Sequence, residues 1–99
     1  MSVTGRVEHL ALSGDLDPVG APAAVARVRA ALTRGAEAVV VHLDDVTFLD
    51  SSGLRALLEA TDAADEVGAE LLILPGPRHL MDVVEAAGLT GRLPFVGYP

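Results

Sequence analysis

Ninety-nine residues, 51% of them apolar and 21% charged, suffice for one domain with its own core, spanning 1–99. The absence of cysteine excludes disulfides and thiolate metal sites. Net charge is −7, and the seven basic residues are all arginines, no two adjacent, which argues against nucleic acid or an anionic membrane as partner and favours a basic protein surface.

Met1 to Arg6 has no basic region followed by an apolar run, so a secretory signal is not expected. No apolar stretch approaches the ~20 residues that span a bilayer. A soluble, cytoplasmic chain is the expectation. Val7 to Leu12 reads as a strand, with a short one before it near Ser2–Thr4. Ser13-Gly14-Asp15-Leu16-Asp17-Pro18 is a cluster of turn residues. Val25, Val28 and Leu32 then recur at helical spacing within Ala23–Thr33, and Gly35 supplies a stop.

Ala38-Val39-Val40-Val41-His42-Leu43 is β-branched and almost continuously apolar, as a strand in a parallel sheet should be. Asp44 to Leu49 reads as a loop. The next helix begins at Asp50 or Ser51, carries Leu54, Leu57, Leu58, Thr61 and Ala64 on one face, and ends at Gly68. Glu70 to Leu74 is another buried strand, stopped by Pro75-Gly76-Pro77. Leu80, Val83, Val84 and Ala87 define a third helix with Gly88 as its cap, and Leu93–Val96 supplies a last short strand. Strands alternating with helices imply βαβ crossovers. The expected fold is α/β, with a small, mostly parallel sheet of four to five strands.

The segment from Val39 to Leu54 carries the chemistry. A buried strand feeds a helix start at the carboxyl edge of the sheet, where open α/β folds place their function. Asp50, Ser51 and Ser52 are all N-cap formers, and one cap is worth about 0.5–2 kcal/mol. Since capping needs one residue, a hydroxyl is left over. Gly53 is a poor helix former by about 1 kcal/mol, and its missing side chain suggests close approach by another molecule.

Phe48-Leu49-Asp50-Ser51-Ser52-Gly53-Leu54, in this strand–loop–helix setting, resembles the signature of the STAS domain family, and particularly its bacterial anti-sigma factor antagonists. The segments Leu10-Ala11-Leu12-Ser13-Gly14-Asp15-Leu16-Asp17 and Glu85-Ala86-Ala87-Gly88-Leu89 sit where that family has them, so the resemblance covers nearly the whole chain. It implies a single STAS domain that works by partner switching in transcription regulation. In such a system the unphosphorylated antagonist binds an anti-sigma factor serine kinase and so releases a sigma factor. The kinase phosphorylates the serine after the Asp, here Ser51, and a phosphatase resets it. By the same resemblance Asp50 positions the site, Asp15 and Asp17 lie near the partner surface, and the protein is a monomer or weak dimer. Ser52, Gly53 and Arg55 complete the expected partner-binding set. Val19-Gly20-Ala21-Pro22 departs from the Thr-Ala common after the acidic turn, and the family's final amphipathic helix has no counterpart after Phe95. Other STAS domains are not phosphorylated and serve as scaffolds or accessory subunits of transporters or lipid-trafficking complexes, which is the alternative function.

Other chemistries find little support. His9, His42 and His79 are scattered, with no metal-ligand spacing, and His42 reads as a core histidine with a backbone partner. Asp44 and Asp45 read as solvated loop acids. Ser51 is not in a Gly-x-Ser-x-Gly setting and has no evident base, so no enzyme is expected. Neither phosphate-binding glycine motif is present, and no cofactor is expected. Arg55 and Arg78 lie near helix starts, where a cation opposes the helix dipole; an acidic contact or plain exposure would account for either.

Overall fold

The computed structural model describes residues 5–97. Its elements in chain order are β1 (Val7–Leu16), α1 (Gly20–Thr33), β2 (Ala38–Leu49), α2 (Ser51–Glu66), β3 (Glu70–Leu74) and α3 (Arg78–Ala86). The three strands form one parallel sheet in the order β1-β2-β3.

Side chains facing the same way follow from the register. Leu10, Val41 and Ile73 lie in one row, and Val39 and Leu71 in the next. These residues are buried in one cluster with Ala24, Val28 and Ala31 of α1, Leu54, Leu57, Ala60 and Ala64 of α2, and Leu80, Met81 and Val84 of α3. All three helices therefore cover one face of the sheet. On the opposite face Val7, His9 and Ala11 are exposed, and His42, Leu72 and Leu74 are half-buried. A buried Leu, Ile or Val contributes about 1.5–3 kcal/mol, so it is the fully enclosed Val41 and Leu43 of β2 and Ile73 of β3 that do most to fix where the strands sit. Where α1 and α2 cross, Ala21, Val25 and Ala56 make a second small cluster. Gly68, at φ 73°, turns the chain out of α2 in the left-handed conformation that glycine adopts without strain. The open end of α1 is tied to β1 by Arg34, whose guanidinium donates to the Glu8 carboxylate at 2.6 and 3.2 Å and holds that carboxyl below its ordinary range.

Three expectations are corrected. Among the described residues the sheet has three strands, where four to five were expected. The strand expected near Ser2–Thr4 lies outside the described residues, and Leu93–Val96 contributes only a single bridge, Phe95 to Ile73. Pro94 has no N–H to extend that pairing. Second, the segment from Asp44 to Leu49 is not a loop: β2 continues through it to Leu49, and β1 likewise runs on to Leu16 through the expected turn cluster. Two register shifts, between Ala11 and Ser13 and between Gly14 and Asp15, accommodate extra residues on β2. Third, α1 begins at Gly20, three residues earlier than its apolar spacing suggests, because Asp17 Oδ1 accepts from Val19 N at 3.0 Å and Gly20 N at 2.8 Å.

Candidate functional site

The bulged ends of β1 and β2 run side by side, pairing Asp15 with Phe48 and Leu16 with Leu49. Asp50 N donates to Leu16 O at 3.4 Å where the chain leaves the sheet. The acidic turn and the start of α2 are thereby held against each other. Asp15, Asp17, Asp50, Ser51, Ser52 and Arg55, distant in sequence, share this edge.

Asp50 is the cap of α2. Its backbone is extended (φ −120°, ψ −167°), and its Oδ1 accepts from Ser52 N at 2.8 Å and Gly53 N at 3.3 Å. With the aspartate in that role, Ser51 occupies the first helical position with an exposed side chain, and among the described residues its hydroxyl has no hydrogen-bond partner. Asp50→Ala is expected to destabilise the fold by about 0.5–2 kcal/mol, while Asp50→Asn, which keeps an acceptor, stays close to wild type; urea unfolding of the two variants checks this.

Gly53 does not leave room for another molecule. It is buried, and a Cβ there would lie 2.5 Å from the Leu16 carbonyl oxygen, 2.8 Å from Leu16 Cβ, and in collision with Leu49 Cδ1. The close approach expected from the sequence is real, but the group that approaches is the chain's own β1. The expectation of open space at Gly53 is corrected: the missing side chain makes room for Leu16 and Leu49.

The far halves of β1 and β2 and the start of α2 carry several acids. Asp15, Asp44 and Asp45 are exposed, and Asp17 and Asp50 are half-buried. Asp15 Oδ1 accepts from Thr47 Oγ1 at 3.1 Å, which fastens the two strand ends. Asp44 and Asp45 are solvated as expected, though from a strand. Two apolar side chains stand out among these acids: Val19, 86% exposed, and Phe48, 48% exposed. Neither was singled out from the sequence, although a lone apolar residue inside a run of turn formers or acids was the available signal. Between α1 and α2 lies a groove of about 300 Å³, floored by apolar residues such as Pro22, Val25 and Ala56, with Ser52, Arg55 and Glu59 also in its lining. Arg55 is exposed and Ser52 half-buried.

The histidines are not scattered in space. His9 and His42 touch, with Nδ1 of one 2.9 Å from Nε2 of the other, so the partner of His42 is a second imidazole and not a backbone group. His79 Nε2 lies 3.0 Å from the Thr47 carbonyl oxygen. Arg78 pairs with Asp82 on its own helix at 3.2 Å. Among the described residues no three His, Cys, Asp or Glu side chains gather as a metal site, and no helix is long and apolar enough to cross a membrane.

This arrangement has close relatives in shape. A structure of the anti-sigma factor antagonist SpoIIAA in its unphosphorylated form superposes with a TM-score of 0.74 at 18% identity, over 96% of this chain and 83% of that one. The Bacillus cell fate determinant SpoIIAA in the phosphorylated form gives 0.66 at 20% identity, over 96% and 86%. A sulfate transporter family protein from Wolinella succinogenes gives 0.70 at 18% identity, over 90% and 75%. These likenesses establish a shared fold. No curated protein matches the sequence. The family model described as "Mlab, STAS domain" matches residues 1–97. With that match spanning nearly its whole length, and the Asp50-capped helix start in place, the chain belongs to the STAS domain family.

Proposed function

We propose that this STAS domain is an anti-sigma factor antagonist, a binding module without catalytic activity whose association with an anti-sigma factor serine kinase is switched off by phosphorylation of Ser51. In this reading the unphosphorylated protein engages the kinase in the cytoplasm and frees a sigma factor, and a phosphatase acting on phosphorylated Ser51 restores the active form. The phosphate donor belongs to the kinase, so this chain requires no cofactor.

One observation carries the proposal: Asp50 caps α2, which leaves the Ser51 hydroxyl exposed and, among the described residues, unbonded, at an edge that also carries Asp15 and Asp17. Kinases need an accessible hydroxyl, and this one costs the fold nothing to modify. A phosphate there would sit at a helix N-terminus, which favours an anion by about 0.3–1 kcal/mol. The same phosphate adds about −1.5 to −2 charges to a surface that is already negative. Val19 and Phe48 provide apolar anchors beside it, and Asp15, Asp17, Asp50, Ser52 and Arg55 form the polar remainder of the contact surface.

A second reading has its own support. The fold is shared with a sulfate transporter family protein, and the matching family model carries the Mlab description. In that reading the domain is a non-phosphorylated scaffold or accessory subunit of a transporter or lipid-trafficking complex.

Phosphate transfer separates them. Incubated with its kinase and Mg-ATP, the wild-type protein is expected to gain one phosphate, placed on Ser51 by peptide mass spectrometry, and Ser51→Ala none. Unmodified wild type would favour the second reading, and equal labelling of Ser51→Ala would overturn the assignment of the phosphate to Ser51.

A further inference from the structure

The face of the sheet turned away from the helices carries an arrangement that the partner-binding edge does not use. Register pairs His9 with Val40 and Ala11 with His42, so the two histidines stand on neighbouring strands, one two-residue step apart, on the same face. His9 is exposed and His42 half-buried. Their ring centres are 5.1 Å apart with planes inclined at 42°, and Nδ1 of His9 faces Nε2 of His42 at 2.9 Å. Two neutral imidazoles hold this contact with one N–H and one lone pair. When the shared proton moves to the far nitrogen of its ring, two lone pairs meet head-on, and a swing of the exposed His9 ring and its neighbour turns both toward one point beside the line between them.

We propose that His9 and His42 form a bidentate site for a divalent transition metal that prefers tetragonal geometry, Cu²⁺ or Ni²⁺. Imidazole nitrogen is the ligand such ions select, and Cu²⁺ stands highest in the affinity order. The spacing also discriminates. Once the rings have swung so that their lone pairs converge, an ion about 2.0–2.1 Å from both nitrogens subtends about 90° at a separation near the present 2.9 Å, as two neighbouring corners of a square plane require; tetrahedral Zn²⁺ needs about 3.4 Å. Both ligands ride on paired strands, so little chain entropy is lost on binding. No third protein ligand joins them among the described residues. Water or a small anion completes the coordination, and the site stays open to exchange. Because β1 and β2 each contribute one ligand, the bound ion clamps the two strands, and the folded state gains stability by mass action.

The test uses the untagged protein, titrated with Cu²⁺ and with Ni²⁺ by calorimetry and followed by electron paramagnetic resonance of the Cu²⁺ form. One ion per chain is expected, with coupling to two nitrogens and a rise in melting temperature. His9→Gln and His42→Gln are each expected to weaken binding by at least about tenfold and to remove one nitrogen coupling, a loss no smaller than removal of a ligand's supporting partner causes. His79→Gln, whose ring lies against the Thr47 carbonyl, leaves affinity unchanged. Should the half-buried position disturb folding in His42→Gln, the exposed His9→Gln decides alone. Affinity unaltered by His9→Gln, or a two-nitrogen signature that survives it, would overturn the proposal.

Discussion

Phosphorylated protein is expected to bind the kinase about a hundredfold more weakly than the unmodified form, and Ser51→Asp, with one added charge instead of nearly two, about tenfold more weakly. Ser51→Ala should bind as wild type does and resist switching off. Misplaced like charge at an interface costs several kcal/mol, and a hundredfold corresponds to about 2.7 kcal/mol. The acids of this edge, Asp15, Asp17 and Asp50, favour a basic counter-surface as a whole, so the expected loss requires that Ser51 itself face an uncharged or acidic spot of the kinase, where a phosphate is crowded or repelled. Folding is not the variable. An acid at the first position of α2 is mildly favourable to the helix, so the melting temperatures of Ser51→Asp and Ser51→Ala should agree within a few degrees. Calorimetric titration of the kinase with each form, beside thermal melts, measures both quantities. If Ser51→Asp, Ser51→Ala and phosphorylated protein all bind within twofold of wild type, the antagonist reading fails and the scaffold reading gains.

Gly53→Ala should destabilise the protein by about 1–3 kcal/mol, the usual cost of overpacking, and lower its melting temperature by roughly 4–8 °C per kcal/mol in a domain of this size. The sign is what matters. By helix propensity alone the substitution would stabilise α2 by about 1 kcal/mol. Against that gain stand the Leu16 carbonyl oxygen, 2.5 Å from the added carbon, and the Leu49 side chain. The carbonyl is backbone in a paired strand and cannot swing aside, so the methyl group must push α2 off the end of β1. Differential scanning calorimetry of Gly53→Ala against Arg55→Ala, which changes an exposed position on the same helix, separates the two effects. A variant as stable as wild type would mean that the contact yields cheaply.

The sequence was most informative where one rule acted alone. β3 at Glu70–Leu74 and the start of α2 beside Asp50 follow from a β-branched or apolar run and from cap chemistry, and both stand as expected. The far half of β2 was illegible for a physical reason. From Leu43 to Leu49 its buried residues are Leu43, Val46 and Leu49, a period of three, because each register shift inserts a residue that β1 does not match. A search for alternation sees no strand there. Gly53 was recognised as unusual, but its neighbour could not be identified without knowing that β1 extends to Leu16. The His9–His42 contact depends wholly on register: one residue of slip would put one ring on the helix-covered face. Composition offers no access to that. Nor does it reveal Val19 and Phe48 as outward-facing, since exposure of an apolar side chain is decided by what the fold fails to bring over it.

The single bridge beside β3 bears on how the protein behaves in a crowded cell. Ile73 N donates to the Pro94 carbonyl and the Ile73 carbonyl accepts from Val96 N, so the outer rim of the sheet is already occupied at its middle by a segment that contains a proline. A foreign strand seeking to add itself there would first have to displace that segment. The molecule can therefore reach high concentration without this border seeding polymers.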